Sequence, residues 1–224
     1  MTEPGVLLAS GRAADVYNQG DGTVLRRYRT DHDVSGEGEL MRHLADAGYP
    51  VPRVHHARGR DLVMDLVTGP TMLEDLDRRP WRIDGHVRTL ARLQERLAEV
   101  EPPPQPATDE RIPPGNSILH LDLHPMNVIL GPRGPVVIDW TNARCGHADF
   151  DAAMTYVLAA AFEPSGWKET LGLRVMLRRF LRHRGAAAVD RWWSEAVEYR
   201  LADPGITPGE AVALRRFRRG RPGA

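Results

Sequence analysis

The spacing of apolar residues changes once along the chain, and that change limits the fold more than any other feature. From Gly5 to Val67 the apolar residues come in short runs broken by turns. These are "GVLLA" (5–9), then "DVYNQ" and "TVLRRY" flanking "GDG" at 20–22, then "VPRVHHA" and "DLVMDLV" joined through "RGR". Such runs between glycine turns predict about five strands. A single helix interrupts them from roughly Val34 to Ala47, stopped by Gly48 and the prolines at 50 and 52. "TGPTM" at 68–72 reads as a hinge, and after it the period becomes helical. Leu90, Leu93 and Leu97 share one face of a helix over 84–100. "EPPPQPATDERIPPGN" is too rich in proline for regular structure and predicts a surface loop. Two short strands, "SIL" and "VVID", follow it. From Ala148 onward "DFDAAMTYVLAAAF", "LGLRVMLRRFLRHR", "VDRWWSEAVEYRL" and "GEAVALRRFRR" read as helices. The expected class is α+β and bilobal. A small antiparallel-sheet lobe with one main helix should occupy 1–67, and a mostly helical lobe 68–224.

Composition narrows the function classes. The 30 basic and 30 acidic residues cancel, so no overall field favours nucleic acid or a membrane surface as partner. The longest apolar runs, such as "YVLAAAF" at 156–162, are too short to span a bilayer, and "MTEPGVLLASGR" lacks the basic and apolar regions of a signal peptide. Cys145 is the only cysteine, which rules out an internal disulfide framework. These features lead us to expect a cytoplasmic protein. Lys168 is the only lysine, so a site that needs a cation must use arginine or histidine.

The segment "HLDLHPMNVIL" (120–130) carries the chemistry. Pro125 keeps a helix from running through it, so it should be an ordered loop. Asp122 and Asn127 stand on either side of that proline, and Asp139 ends the apolar strand twelve residues beyond Asn127. Val128–Leu130 and Val136–Ile138, joined by "GPRG", should form a hairpin that brings Asn127 and Asp139 near one another. Two hard oxygen ligands, short of a full cage, suit magnesium that is also held by phosphate oxygens. Asp122 would face the same space as a carboxylate acceptor for a substrate proton.

"HLDLHPMN" resembles the "HRDLKPEN" catalytic loop of protein kinases. It is closer still to the "HGDLHPGN" loop of the aminoglycoside phosphotransferase and choline kinase-like family, whose later metal motif reads "IDW", here Ile138-Asp139-Trp140. The resemblance implies a bilobal protein-kinase-like fold and an ATP- and magnesium-dependent phosphotransferase acting on a hydroxyl of a small molecule. It implies that Asp122 accepts the proton of the attacking hydroxyl, that His120 braces the loop, and that His124 lies toward the transferred phosphate. Asn127 and Asp139 would hold magnesium on the ATP phosphates. In the first lobe, "ASGRAADVY" stands where the family places its phosphate-covering loop, with Gly11 and Arg12 as candidates. Arg26 takes the position of the family's strand lysine, and Glu37 is its expected partner because it shares a helix face with Leu40, Met41 and Leu44. Main-chain atoms around Asp65 and Val67 would receive adenine.

Two rival readings follow from the same residues. Arg26 in place of lysine and the glycine-poor loop would suit a nucleotide-binding protein without turnover. His120, Asp122 and His124 could instead form a zinc triad of a hydrolase, with His147 and Asp149 as further ligands. Among neighbouring residues, Asp151 is expected to anchor the helix that follows it. Asn142 reads as a turn residue, and Cys145 as a small side chain. Trp192, Trp193 and Tyr199 read as a helix seam more than an acceptor pocket, and "RRFRRGRPGA" as a solvated terminus.

Overall fold

The computed structural model describes residues 3–11 and 13–218. Arg12 and the end of the basic tail lie outside the described residues. The chain divides into two compact units, each built from two stretches. The first comprises 1–70 and 128–141, the second 71–127 and 142–224.

The first unit is a five-stranded antiparallel sheet in the order β1-β2-β3-β5-β4. The strands are β1 (Val6–Ser10), β2 (Ala14–Asn18), β3 (Thr23–Tyr28), β4 (Val54–Arg58) and β5 (Asp61–Asp65), with α1 (Ser35–Asp46) inserted between β3 and β4. The helix buries Gly38, Met41 and Leu44. It comes so close to β4 that a Cβ on Gly38 would lie 2.3 Å from the Cβ of Ala57. Leu25, Tyr28, Leu44 and Leu62 form the centre of this core. The returning hairpin of β7 (Val128–Gly131) and β8 (Gly134–Val137) pairs Val128 with Val137. It joins the unit through backbone bonds from Leu130 N–H to Pro70 O and from Val137 N–H to Pro50 O, each 2.8 Å. Gly69 has φ +142°, and a Cβ there would meet the Leu130 carbonyl oxygen at 2.3 Å, so only glycine fits beside this hairpin. Trp140 then packs edge-on against Tyr49 and gives its indole N–H to Val137 O at 3.1 Å.

The second unit is helical. It holds α2 (Met72–Arg78), α3 (Ile83–Ala98), α4 (Ala148–Ala161), α5 (Trp167–Arg184), α6 (Ala186–Arg191), α7 (Trp193–Leu201) and α8 (Pro208–Arg216). A small sheet pairs β6 (Ser117–Leu119) with β9 (Arg144–Gly146). "TGPTM", read above as a hinge, contains the start of α2. Thr71 caps that helix and Glu74 returns the bond, because Thr-x-x-Glu satisfies two backbone donors reciprocally. α4 is buried on nearly every face, as a helix apolar all round must be. It therefore serves as the post around which the other elements pack. No helix among the described residues is long and apolar enough to cross a membrane.

Asp75 of α2 is buried among His86, Arg79 and Arg82, with His86 Nε2 at 2.8 Å and Arg79 Nη1 at 2.7 Å. The His86 bond, followed by the arginines, lowers its carboxyl to about 2. A carboxyl depressed in the folded state stabilises the protein above its ordinary value of 3.8, and that contribution disappears as pH falls through about 2. The acid limb of thermal stability should therefore be shallower in Asp75→Asn than in the wild type. Equal slopes in melting experiments across that range would contradict this.

Candidate active site

In the first unit, five side chains close a ring. Arg26 and Tyr28 stand two apart on β3 and so share a face, while Arg27 points the other way and forms a two-pronged pair with Asp61, both bonds 2.7 Å. Arg26 Nη2 donates to Asp139 Oδ1 at 2.7 Å, and Nη1 reaches Glu37 Oε1 at 3.4 Å. The Tyr28 hydroxyl donates its one proton to Glu37 Oε2 at 2.7 Å, and its oxygen lies close to the Thr141 hydroxyl oxygen. Thr141 Oγ1 donates to Asp139 Oδ1 at 3.0 Å and completes the circuit. Burial opposes the charge on Arg26, but Asp139 and then Glu37 outweigh it, and the guanidinium is held above its ordinary value. Burial raises the Glu37 carboxyl, while Arg26 and the Tyr28 hydroxyl work against that rise. One cation thus serves two carboxylates. Asp139 itself has φ +67°, a left-handed backbone that aspartate tolerates better than bulky residues.

The remaining first-unit candidates are less closely organised. Gly11 closes the β1–β2 turn by donating its N–H to Ala14 O at 2.9 Å. Ser10, Asp15 and Arg29 brace the base of that turn, with Ser10 Oγ 2.7 Å from Asp15 Oδ1 and Arg29 Nη2 2.6 Å from Ser10 Oγ. The Asp65 N–H is taken by Arg53 O at 2.9 Å, and its carboxylate lies 2.7 Å from His55 Nε2. Val67 follows β5 and lies partly exposed.

In the second unit, the loop after β6 is held from beneath. Leu121 has φ +64°, unusual for a residue that is not glycine, and its N–H is taken by Asp151 Oδ1 at 2.7 Å. One helical turn further along α4, Thr155 donates its hydroxyl to Leu123 O at 2.8 Å. Gln94 of α3 joins the two anchors by donating to Asp151 O at 3.0 Å and to Thr155 Oγ1 at 2.8 Å. The backbone on both sides of Asp122 is therefore fixed by a buried polar network. His120 is fully buried, and its Nδ1 accepts from the Asp122 N–H at 3.3 Å. Burial raises the Asp151 carboxyl, against the pull of His120 and of the N–H groups of Leu121 and His120.

Asp122 sits on that support with one carboxylate oxygen hydrogen-bonded. Asn127 Nδ2 donates to its Oδ2 at 3.1 Å and to its carbonyl at 2.9 Å. His124 Nδ1 accepts from the Met126 N–H at 3.3 Å, and Nε2 lies 3.4 Å from both Asp122 Oδ1 and Asn127 Nδ2. Because Asn127 spends its amide nitrogen on Asp122, its amide oxygen is turned away from that carboxylate. Asn127 ends the second unit's stretch and the chain passes directly into β7, whose hairpin leads to Asp139 in the first unit.

The nearby residues have structural occupations. His147 caps α4 by accepting the Asp149 N–H at 3.2 Å, and Asp149 faces Arg191 at 3.5 Å and Arg184 at 3.6 Å. Among the described residues no three His, Cys, Asp or Glu side chains are grouped to hold a metal ion, so the geometry does not support the zinc reading. Burial raises the Cys145 thiol, which points toward Gly115 O at 3.6 Å. Asn142 is exposed. Trp193 packs edge-on against Tyr156, Tyr199 against Phe150, and Trp192 lies against His147, so all three pack within the helical unit. The sequence reading overlooked Tyr28, Thr141, Gln94 and Thr155. The period of two along β3 placed Tyr28 beside Arg26 and was the one signal that could have found it.

Comparison with known proteins bears on the family and the fold. The model of the phosphotransferase enzyme family (APH) covers residues 5–117 and 88–189, more than half of the chain. A search of curated proteins returned no match. Among solved structures, aminoglycoside phosphotransferase APH(4)-Ia is similar with TM-score 0.65 and 17% identity, covering 94% of this chain and 90% of that one. A thermostable variant of it, in ternary complex with AMP-PNP and hygromycin B, gives TM-score 0.67 and 15% identity over the same shares. The streptomycin–ATP–APH(2")-IIa ternary complex gives TM-score 0.61 and 17% identity, covering 87% of this chain and 82% of that one. At these identities the structural likeness is one of fold, and that fold is α+β and protein-kinase-like. With its small antiparallel-sheet unit, its helical unit and the family match across both, the chain belongs to the phosphotransferase enzyme family.

Proposed function

We propose that the protein transfers the γ-phosphoryl group of ATP to a hydroxyl of a small molecule, with magnesium as the metal. The observation that carries this reading is the Asp122 carboxylate, held by the Asn127 amide on a loop whose backbone is gripped at Leu121 and Leu123. A carboxylate so fixed can orient an alcohol and accept its proton as the oxygen attacks phosphorus. The new bond joins the acceptor oxygen to the γ-phosphorus, the bond to the bridging oxygen breaks, and ADP leaves. The Asn127 amide holds Asp122 in place while the proton arrives, with His124 beside it. The relatives solved with ATP or AMP-PNP support the choice of nucleotide.

The amide oxygen of Asn127 and the carboxylate of Asp139 are hard donors and fit magnesium, which takes its remaining oxygens from water and phosphate. Bound there, the metal would neutralise phosphate charge. Arg26 adds a permanent positive charge to the same task, since arginine does not deprotonate in proteins. We also propose a cytoplasmic enzyme, since ATP and small metabolites are available there.

The test is to incubate the full chain with ATP and magnesium against a library of hydroxylated metabolites, following ADP and phosphorylated product by mass spectrometry. A product carrying one added phosphoryl group is expected with some members of the library. Nucleotide that binds but is never consumed would favour the nucleotide-binding protein without turnover.

A further inference from the structure

The buried network in the second unit disposes its protons in a way that a helix by itself does not. We propose that Gln94 is a positioning residue, which turns the Thr155 hydroxyl away from its own helix and onto the loop that carries Asp122. This role rests on the phosphotransferase reading and concerns how its proton acceptor is held.

A threonine inside a helix can return its hydroxyl proton to the carbonyl four residues earlier. For Thr155 that carbonyl belongs to Asp151, one turn back along α4. Its hydroxyl instead donates to Leu123 O at 2.8 Å. Gln94 accounts for the difference. A carbonyl oxygen has two lone pairs, and that of Asp151 gives one to the Thr155 N–H within the helix. Gln94 Nε2 takes the other at 3.0 Å. The second amide proton of Gln94 goes to Thr155 Oγ1 at 2.8 Å. Asp151 Oδ2, 3.4 Å from the same nitrogen, is a more distant third contact. The threonine oxygen thus already accepts a bond, and the carbonyl behind it is filled. Its single proton is left for Leu123.

The amide fits only this way round. Turned over, it would set Oε1 against the Asp151 carbonyl oxygen, two acceptors with no proton between them. In the observed orientation Oε1 is buried without a hydrogen-bond partner among the described residues. An unpaired buried acceptor is unfavourable, so packing alone does not explain a glutamine at a position 3% exposed on α3. Leucine or methionine would fill that space with no orphaned oxygen. What the amide adds is its pair of donors, and both act on the Thr155 hydroxyl. One occupies the carbonyl it would otherwise turn to, and the other aligns its oxygen. Leu123 stands between Asp122 and His124, so releasing its carbonyl frees the backbone on the carboxyl side of Asp122.

The experiment compares the full-length wild type with Gln94→Met, Thr155→Val, Thr155→Ser and the double variant of Gln94→Met and Thr155→Val. Turnover is measured with ATP, magnesium and the metabolite of the library above that gives most product. Amide hydrogen exchange is followed by mass spectrometry in peptides covering 119–126. Gln94→Met and Thr155→Val should each lower kcat about 10-fold, part of the roughly 100-fold that a displacement of about 1 Å can cost. KM for ATP should not change, and the loop should exchange faster in both variants. The double variant should be no slower than Thr155→Val, because Gln94 acts through a hydroxyl that valine lacks. Thr155→Ser keeps the hydroxyl and should match the wild type in both measurements. Merely structural roles would give losses that add, with exchange raised along α3 and α4 as much as in the loop. Additive losses, no sparing by serine, or wild-type turnover and exchange in Gln94→Met would each overturn the proposal. Should Gln94→Met fail to fold, Gln94→Leu replaces it, and unfolding of both would overturn the proposal by showing that the fold itself needs the amide. A wild type that phosphorylates no acceptor would overturn the phosphotransferase reading, and loop exchange in the same variants would still decide where the hydroxyl points.

Discussion

Asp122→Asn should reduce phosphoryl transfer by about 1,000-fold, in the middle of the range for loss of a positioned general base. The substitution keeps the shape of the side chain and removes its capacity to take a proton. Asp122 Oδ2 accepts from Asn127 Nδ2 at 3.1 Å, and Oδ1 lies 3.4 Å from His124 Nε2. An amide that turns its NH2 toward Asn127 loses that contact. Because the side chain is 24% exposed, that conflict should cost well under the loss of a buried bond, and the fold should survive. ADP affinity measured by calorimetry should stay close to the wild type, which separates loss of chemistry from loss of nucleotide. Turnover within about tenfold of the wild type would remove Asp122 from the proton-accepting role.

Asp151→Ala should give the largest loss of stability, about 2 to 3 kcal/mol. It strips the Leu121 N–H of its acceptor at 2.7 Å, in a residue already held at φ +64°, and takes away the carboxylate beside Gln94. Chemical denaturation would report the loss, and transfer should fall as well because Leu121 adjoins Asp122. Asp151→Asn should be milder, since its amide oxygen can still accept from Leu121. The two differ in pH dependence. Burial raises the Asp151 carboxyl above its ordinary 3.8, so its contribution to stability is fully present below that value and is lost as pH rises through the raised one. That decline should be absent from the asparagine variant. Equal stability of the alanine variant and the wild type would show that the loop does not depend on this anchor.

The parts legible in the sequence were those governed by local rules. Period-two runs between glycine turns gave the five strands of the first sheet, and period 3.6 gave α3 with Leu90, Leu93 and Leu97 all buried. Helix geometry separated Glu37, which reaches Arg26, from Glu39, which is exposed. The start of α2 was legible too, since Thr71 and Glu74 form a capping box, yet the adjacent glycine and proline drew attention to a turn. What stayed hidden depends on contacts between residues far apart in the chain. Gln94 reaches Thr155 across 61 positions, and Tyr28 reaches Thr141 across 113. A glutamine on an amphipathic helix and a threonine in an alanine-rich one carry no local mark of a shared partner. Left-handed backbone at Leu121 is likewise imposed by surroundings, because leucine does not favour it.

The division of the first unit into 1–70 and 128–141 bears on how the protein is made. At about 5–20 residues per second, the ribosome releases the first sheet seconds before the hairpin that completes it. During that interval the nascent chain holds Arg26 and Glu37 but lacks Asp139 and Trp140, which lie more than a hundred positions downstream of Arg26. A fragment ending at Pro70 would remain in that unfinished condition, with the Tyr49 surface that Trp140 normally covers left uncovered. Attempts to express the amino-terminal sheet by itself should therefore yield aggregation-prone material, and a split-protein design should keep 128–141 with the front half of the chain.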